Sequence, residues 1–272
     1  MSNSPTSTDF CVTVAEMGDD VHTGDDKGDA GSRKRSAEEH DENDDDIQPI
    51  VWPAHPFRIV LAGRSGSGKT HWLVNRIKMG GGGERGTAKY SPFDEIVLFA
   101  PRPTLRQDSY VDMANWIDKH NRKYAKHKVV LKVCNRMPTL EEWEFLENFW
   151  NREPKKRLII LDDFLLDIEG VSGSKGVQKL YTGGRHMNAS VVQLIQNPFP
   201  AGRGRTERLS ANWLVVWHFP DMRAIRMLLE QVADEDAEEG MELYKEAIKN
   251  VGGHLAIDLH ATSGEEKFMR GV

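Results

Sequence analysis

A short apolar run, Phe57–Ala62 (FRIVLA), feeds directly into Gly63-Arg64-Ser65-Gly66-Ser67-Gly68-Lys69-Thr70. No other stretch constrains the fold as tightly. The octet fits G-x-x-x-x-G-K-S/T, and its surroundings carry more weight than the pattern. An apolar run of strand length precedes it. Lys69–Met79 follows with helical spacing, and Gly80–Gly83 stops it. Glycines let successive backbone N–H groups turn inward around phosphate oxygens, and the helix N-terminus adds its partial positive charge. Gly63, Arg64, Ser65, Gly66, Ser67 and Gly68 are therefore expected to cradle the phosphates of a nucleotide. Lys69 is expected to reach the β- and γ-phosphates, and Thr70 to hold Mg²⁺.

A second apolar run, Arg157–Asp163 (RLIILDD), ends in two carboxylates. In a fold of this class such a strand end lies beside the glycine loop. Asp162 is expected to hold the water shell of Mg²⁺, and Asp163 to act as general base toward the attacking water. Many ATPases of this kind carry Glu at the second position, and Asp is one methylene shorter. Ser190–Gln196 is a third run that ends in a polar residue, and the Gln196 amide can meet the γ-phosphate or the lytic water.

The remaining chain alternates in the same way. Phe93–Phe99, Lys128–Val133, Trp213–Phe219 and His254–Leu259 read as strands. Asp108–His120, residues 140–151, Met222–Val232 and Met241–Lys249 read as helices, with Thr139 and Glu142 forming a capping box. This alternation predicts an α/β fold with a mostly parallel central sheet and helices on both faces. The order is consistent with a strand inserted between the Phe57 and Arg157 runs, the arrangement of an additional-strand, RecA-like P-loop NTPase.

Residues 1–48 carry 14 acidic and 4 basic side chains, a net of −10, within a chain whose overall charge is −6. Residues 49–272 therefore carry a net of +4. The segment 1–48 is poor in large apolar residues and is expected to be a disordered acidic tail, leaving 49–272 as one ATPase domain. Arg33-Lys34-Arg35 reads as a charge cluster in that tail rather than as a nuclear signal. No apolar run approaches the ~18 residues of a membrane span. The first residues lack the pattern of a secretory signal. Two cysteines, Cys11 and Cys134, are too few for a disulfide framework or a cysteine-built zinc site. A soluble intracellular protein is expected.

Further motifs stand at characteristic distances from these. His55-Pro56-Phe57 leads into the glycine loop, and Leu158–Phe164 (LIILDDF) follows. Then come Leu180–His186 (LYTGGRH), Asn188, Ser190-Val191-Val192 and Gln196-Asn197-Pro198-Phe199. Arg205-Thr206, Ser210-Ala211-Asn212 and Phe219-Pro220-Asp221 complete the series. In order and spacing these motifs, over about residues 53–260, resemble the genome-packaging ATPases of the FtsK/HerA superfamily, of the type found in poxviruses, polintons and adintoviruses. The resemblance implies ATP-driven translocation of double-stranded DNA into a viral capsid by a homo-oligomeric ring. It also implies an arginine supplied in trans, for which Arg185 is the first candidate and Arg203, Arg205 and Arg208 are the alternatives. Gly184 and Met187 depart from the residues expected in that pattern.

Seven basic side chains and no acidic one lie between residues 119 and 140 (Lys119, Arg122, Lys123, Lys126, Lys128, Lys132, Arg136), a stretch able to neutralise DNA phosphates without reading sequence. Its alternative is a solvated helix–strand surface. Among rival classes, Asp167-Ile168-Glu169-Gly170 offers a D-x-x-G match, but no N-K-x-D motif reads guanine. A P-loop nucleoside or nucleotide kinase is the stronger rival, because Arg203, Arg205 and Arg208 are placed as lid arginines would be.

Overall fold

A computed structural model describes residues 12–13, 53–79, 91–163, 171–184, 186–196, 210–261 and 267–271. Nine strands form one sheet: β1 Val12–Thr13, β2 Arg58–Ala62, β3 Glu95–Phe99, β4 Val130–Cys134, β5 Arg157–Asp162, β6 Ala189–Ile195, β7 Trp213–Trp217, β8 His254–Asp258 and β9 Phe268–Gly271. Their spatial order is β1-β4-β3-β5-β6-β2-β7-β8-β9. The six strands from β4 to β7 pair in parallel, while β1, β8 and β9 add antiparallel edges. β6 lies between β2 and β5, so the inserted strand is present.

The helices are α1 Lys69–Lys78, α2 Arg102–Leu105, α3 Asp108–Lys123, α4 Leu140–Trp150, α5 Val171–Gly183, α6 Met222–Val232 and α7 Ala237–Ala247. Strand residues alternate between two buried clusters because successive side chains point to opposite faces. In β2, Ile59 and Leu61 pack with Leu73 and Ile77 of α1 and Met113 and Ile117 of α3. Val60 and Ala62 face the other cluster, with Trp143 of α4, Leu180 and Tyr181 of α5, Leu228 of α6 and Tyr244 of α7. Helices thus cover both faces. Each fully buried Leu or Ile contributes about 1.5–3 kcal/mol. α4 starts with the expected capping box: the Glu142 amide donates to Thr139 Oγ1, and the Thr139 amide donates to Glu142 Oε2 at 2.8 Å.

The sheet is larger than the sequence reading, which stopped at His254–Leu259. β9 is only four residues long and follows a polar stretch, so its period was not visible. The last helix starts at Ala237, four residues earlier than expected, after a 3₁₀ turn over Asp234–Asp236.

Two described residues of the N-terminal segment take part in the sheet. Val12 and Thr13 pair antiparallel with Val133 and Lys132 of β4. Cys134 is disulfide-bonded. Among the described residues no helix is long and apolar enough to cross a membrane.

A buried ionic cluster joins the middle strands. Arg157, with no exposed side-chain surface, pairs with Glu153 at 2.6 Å and with Glu95 at 3.3 Å. Glu95 also takes Lys132 at 2.6 Å. Lys132 is therefore paired with a buried carboxylate. Arg136 forms a two-pronged pair with Glu142, and Arg122 pairs with Asp118. The basic stretch is thereby reduced to Lys119, Lys123, Lys126 and Lys128, around the C-terminal end of α3. Acidic partners outside the 119–140 window were invisible to a local count.

Candidate active site

β2, β3, β5 and β6 all end at the same edge of the sheet, where an open α/β sheet places its ligand crevice. A cleft of about 220 Å³ opens there, lined by residues 65–71, Asp162, Asp163 and Gln196. The loop after β2 takes a conformation closed to ordinary side chains: Gly66 has φ +74° and Gly68 φ +98°. Gly68 caps α1, whose N-terminus faces the cleft.

Lys69 is almost fully buried, and its Nζ donates to the carbonyls of Gly63 at 2.6 Å and Arg64 at 2.9 Å. Burial lowers its pKa, while Asp162 and Asp163 oppose that shift. An ammonium held by carbonyl dipoles is poised to exchange them for phosphate oxygens. Asp162, 7% exposed, ends β5. Its carboxyl is raised to about 6, mainly by burial and also by the neighbouring Asp163, against the hydroxyls of Tyr110 and Thr70 and the charge of Lys69. Asp163 turns the chain out of the strand in the left-handed region, φ +61°, which Asp tolerates better than most residues. Its Oδ1 accepts from Gln196 Nε2 at 2.7 Å.

The residues fit a magnesium–nucleotide complex. Thr70 and Asp162 are hard oxygen donors in mutual contact. Among the described residues no group of three or more His, Cys, Asp or Glu forms a metal cage. Mg²⁺ keeps waters and substrate phosphates as ligands and takes few from protein, so Thr70 and Asp162 are the residues that would hold it.

The cleft brings together Ser65, Gly66, Ser67, Gly68, Lys69, Thr70, Asp162, Asp163 and Gln196, while Gly63 and Arg64 do not line it and accept from Lys69 through their carbonyls. Arg185, Arg203, Arg205 and Arg208 lie outside the described residues. So does the D-x-x-G match at 167–170. One segment supplies contributors that the sequence reading missed: Thr104, Gln107 and Ser109 line the cleft, and Tyr110 donates to Asp162 Oδ2 at 2.6 Å. They follow β3, whose C-terminal end points the same way as β2 and β5. That shared edge was the available signal, but it needs the strand order.

Several motif residues lie at the other end of the strands and fasten them together. His55 engages Ser190 Oγ at 2.7 Å and Asn188 Oδ1 at 3.1 Å. The Phe57 amide donates to Ser190 Oγ, and the Arg58 amide to Asn212 Oδ1. These contacts set the register of β2, β6 and β7, so this part of the signature is architectural.

Residues 51–199 of the 272 match the family described as poxvirus A32 protein. The chain belongs to that family. No curated protein matches it. Among solved structures, B204, the DNA-packaging ATPase from Sulfolobus turreted icosahedral virus, superposes with a TM-score of 0.52 at 11% identity, over 80% of this chain and 98% of B204. The genome-packaging NTPase B204 of Sulfolobus turreted icosahedral virus 2, in complex with AMPPCP, gives a TM-score of 0.50 at 14% identity, over 79% and 97%. At such identities the likeness shows the P-loop NTPase fold, and this A32-family chain has it.

Proposed function

We propose that this A32-family chain is an ATPase motor that moves double-stranded DNA into a viral capsid. The observation that carries the reading is the convergence, at one cleft, of the glycine loop, Asp162 and the Asp163–Gln196 pair. The structural neighbours, which are named as packaging ATPases and in one case hold an ATP analogue, support it.

ATP binds with its phosphates in the glycine loop, and the Lys69 ammonium leaves the Gly63 and Arg64 carbonyls for the β- and γ-phosphates. Thr70 and Asp162 would hold Mg²⁺, which would supply positive charge against the phosphates when bound. Gln196 orients a water beside Asp163. The water oxygen attacks the γ-phosphorus, the bond to the β-phosphate oxygen breaks, and Asp163 receives the proton. Arg185 of a neighbouring subunit in a homo-oligomeric ring stabilises the transition state. Lys119, Lys123, Lys126 and Lys128 provide sequence-independent contact with DNA phosphates.

A hydrolase and a nucleoside or nucleotide kinase differ in their product. With ATP labelled at the γ-phosphate, this reading requires the label in inorganic phosphate. Label in added nucleosides or nucleotides would establish the kinase instead.

A further inference from the structure

Asp162 is a buried carboxylate, and one of its hydrogen-bond donors, Tyr110, comes from a segment outside every motif of the sequence. Tyr110 stands in the first turn of α3 and is 3% exposed. Its ring packs in the same apolar cluster as Met113, Ile117 and Leu73. Its hydroxyl donates to Asp162 Oδ2 at 2.6 Å, the length of a hydrogen bond to an ionised acceptor. Thr70 interacts with both groups.

We propose that Tyr110 is a positioning residue for the magnesium-bound nucleotide. It holds one oxygen of Asp162 and so fixes the plane of the carboxylate next to Thr70. This inference rests on the nucleotide reading given above. A terminal carboxylate torsion is broad and soft, so the strand end alone leaves Asp162 free to rotate. Mg²⁺ demands near-ideal octahedral geometry, and small displacements of a group that orders it are costly. A phenylalanine would fill the same apolar volume. What the tyrosine adds is the hydroxyl, placed against this carboxylate. The segment carrying it also contributes Thr104, Gln107 and Ser109 to the cleft. The β3–α3 connection is thus part of the nucleotide site and more than a covering for the sheet.

The test is Tyr110→Phe in the full chain. Binding of a fluorescent ATP analogue is titrated with Mg²⁺, beside metal-free nucleotide binding and thermal melting. The half-saturating Mg²⁺ concentration should rise roughly 3–10-fold, consistent with losing one charge-assisted hydrogen bond. Metal-free affinity should stay within about twofold. In an Asp162→Asn background the same substitution should produce no further shift. Unchanged Mg²⁺ dependence in a folded variant overturns the inference and leaves the nucleotide reading standing. A wild-type chain that binds no nucleotide overturns both. If Tyr110→Phe fails to fold, 3-fluorotyrosine at position 110 keeps the ring and strengthens the donor. Its Mg²⁺ half-saturation must then differ from wild type, and equality overturns the inference.

Discussion

Gln196 Nε2 donates to Asp163 Oδ1 across 2.7 Å, tying the C-terminal end of β6 to that of β5. The contact exists only because β6 is inserted between β2 and β5. It orients the shorter carboxylate at the position where related ATPases carry Glu. Asp163→Asn should bind Mg-ATP nearly as wild type and hydrolyse it at least ~100-fold more slowly, the low end for a positioned base. Gln196→Ala should lower turnover with less effect on nucleotide affinity. Equilibrium binding and single-turnover rates, measured together, check both. A large loss of affinity in Asp163→Asn would assign that carboxylate to metal binding.

Asp162 predicts a trade between function and stability. Its folded pKa, raised to about 6, lies above the value of an unfolded carboxylate. The folded state therefore binds the proton more tightly, and the associated stability is present at low pH and lost as pH rises from about 4 through 6. Asp162→Asn should stabilise the nucleotide-free protein at pH 8 by roughly 1–3 kcal/mol, with the gain shrinking toward pH 4. It should also weaken Mg²⁺-dependent nucleotide binding without eliminating it. Urea unfolding at the two pH values reads the first effect. A destabilised variant at pH 8 would contradict the pKa assignment.

Arg157 is the structural counterpart. Removing it leaves Glu95 buried with Lys132 as its remaining cationic partner. Arg157→Ala should cost about 3–5 kcal/mol, the range for breaking a buried pair by removing one partner. Lys132→Ala should also destabilise. Replacing Lys119, Lys123, Lys126 and Lys128 together with Ala should leave melting nearly unchanged, weaken DNA binding at low salt and flatten its salt dependence. Equal DNA affinity in that variant would place the DNA surface elsewhere.

The N-terminal segment contributes the two residues of β1 to the edge of the sheet. Deleting residues 1–48 removes β1 and exposes the edge of β4. Sheet edges left unpaired recruit other chains. The truncated protein should keep its basal ATP turnover and aggregate more readily, as light scattering would show. Turnover lost on truncation would mean that the segment serves the site.

Arg185 is tested by mixing. Arg185→Ala and Lys69→Ala chains should each be inactive alone. Together they should recover activity, because an intact glycine loop can then meet an intact arginine across a subunit boundary. Absence of recovery in confirmed mixed assemblies would remove the trans role from Arg185.

Much of this site was legible in the sequence because its residues cap strands. The glycine octet, Asp162, Asp163 and Gln196 each terminate an apolar run, and such ends meet on one edge of a parallel sheet. The Thr139 cap of α4 and the span of α6 were legible for the same local reason. What escaped depends on contacts distant in sequence. Tyr110 reads as an ordinary core aromatic of an amphipathic helix until β3 is placed next to β5. Lys132 and Arg136 read as surface cations until Glu95 and Glu142 are brought to them. The pairing of Val12–Thr13 rests on two residues, too few for any period to emerge from an acidic background.

The central claim is that this cleft hydrolyses ATP in the service of DNA movement. The most direct measurement is the steady-state ATPase rate of the full chain with and without double-stranded DNA, alongside Lys69→Ala. The account predicts turnover that DNA of any sequence increases and that high salt suppresses, with no turnover in Lys69→Ala although its melting temperature is unchanged. Turnover indifferent to DNA, or a Lys69→Ala rate within a few-fold of wild type, would contradict it.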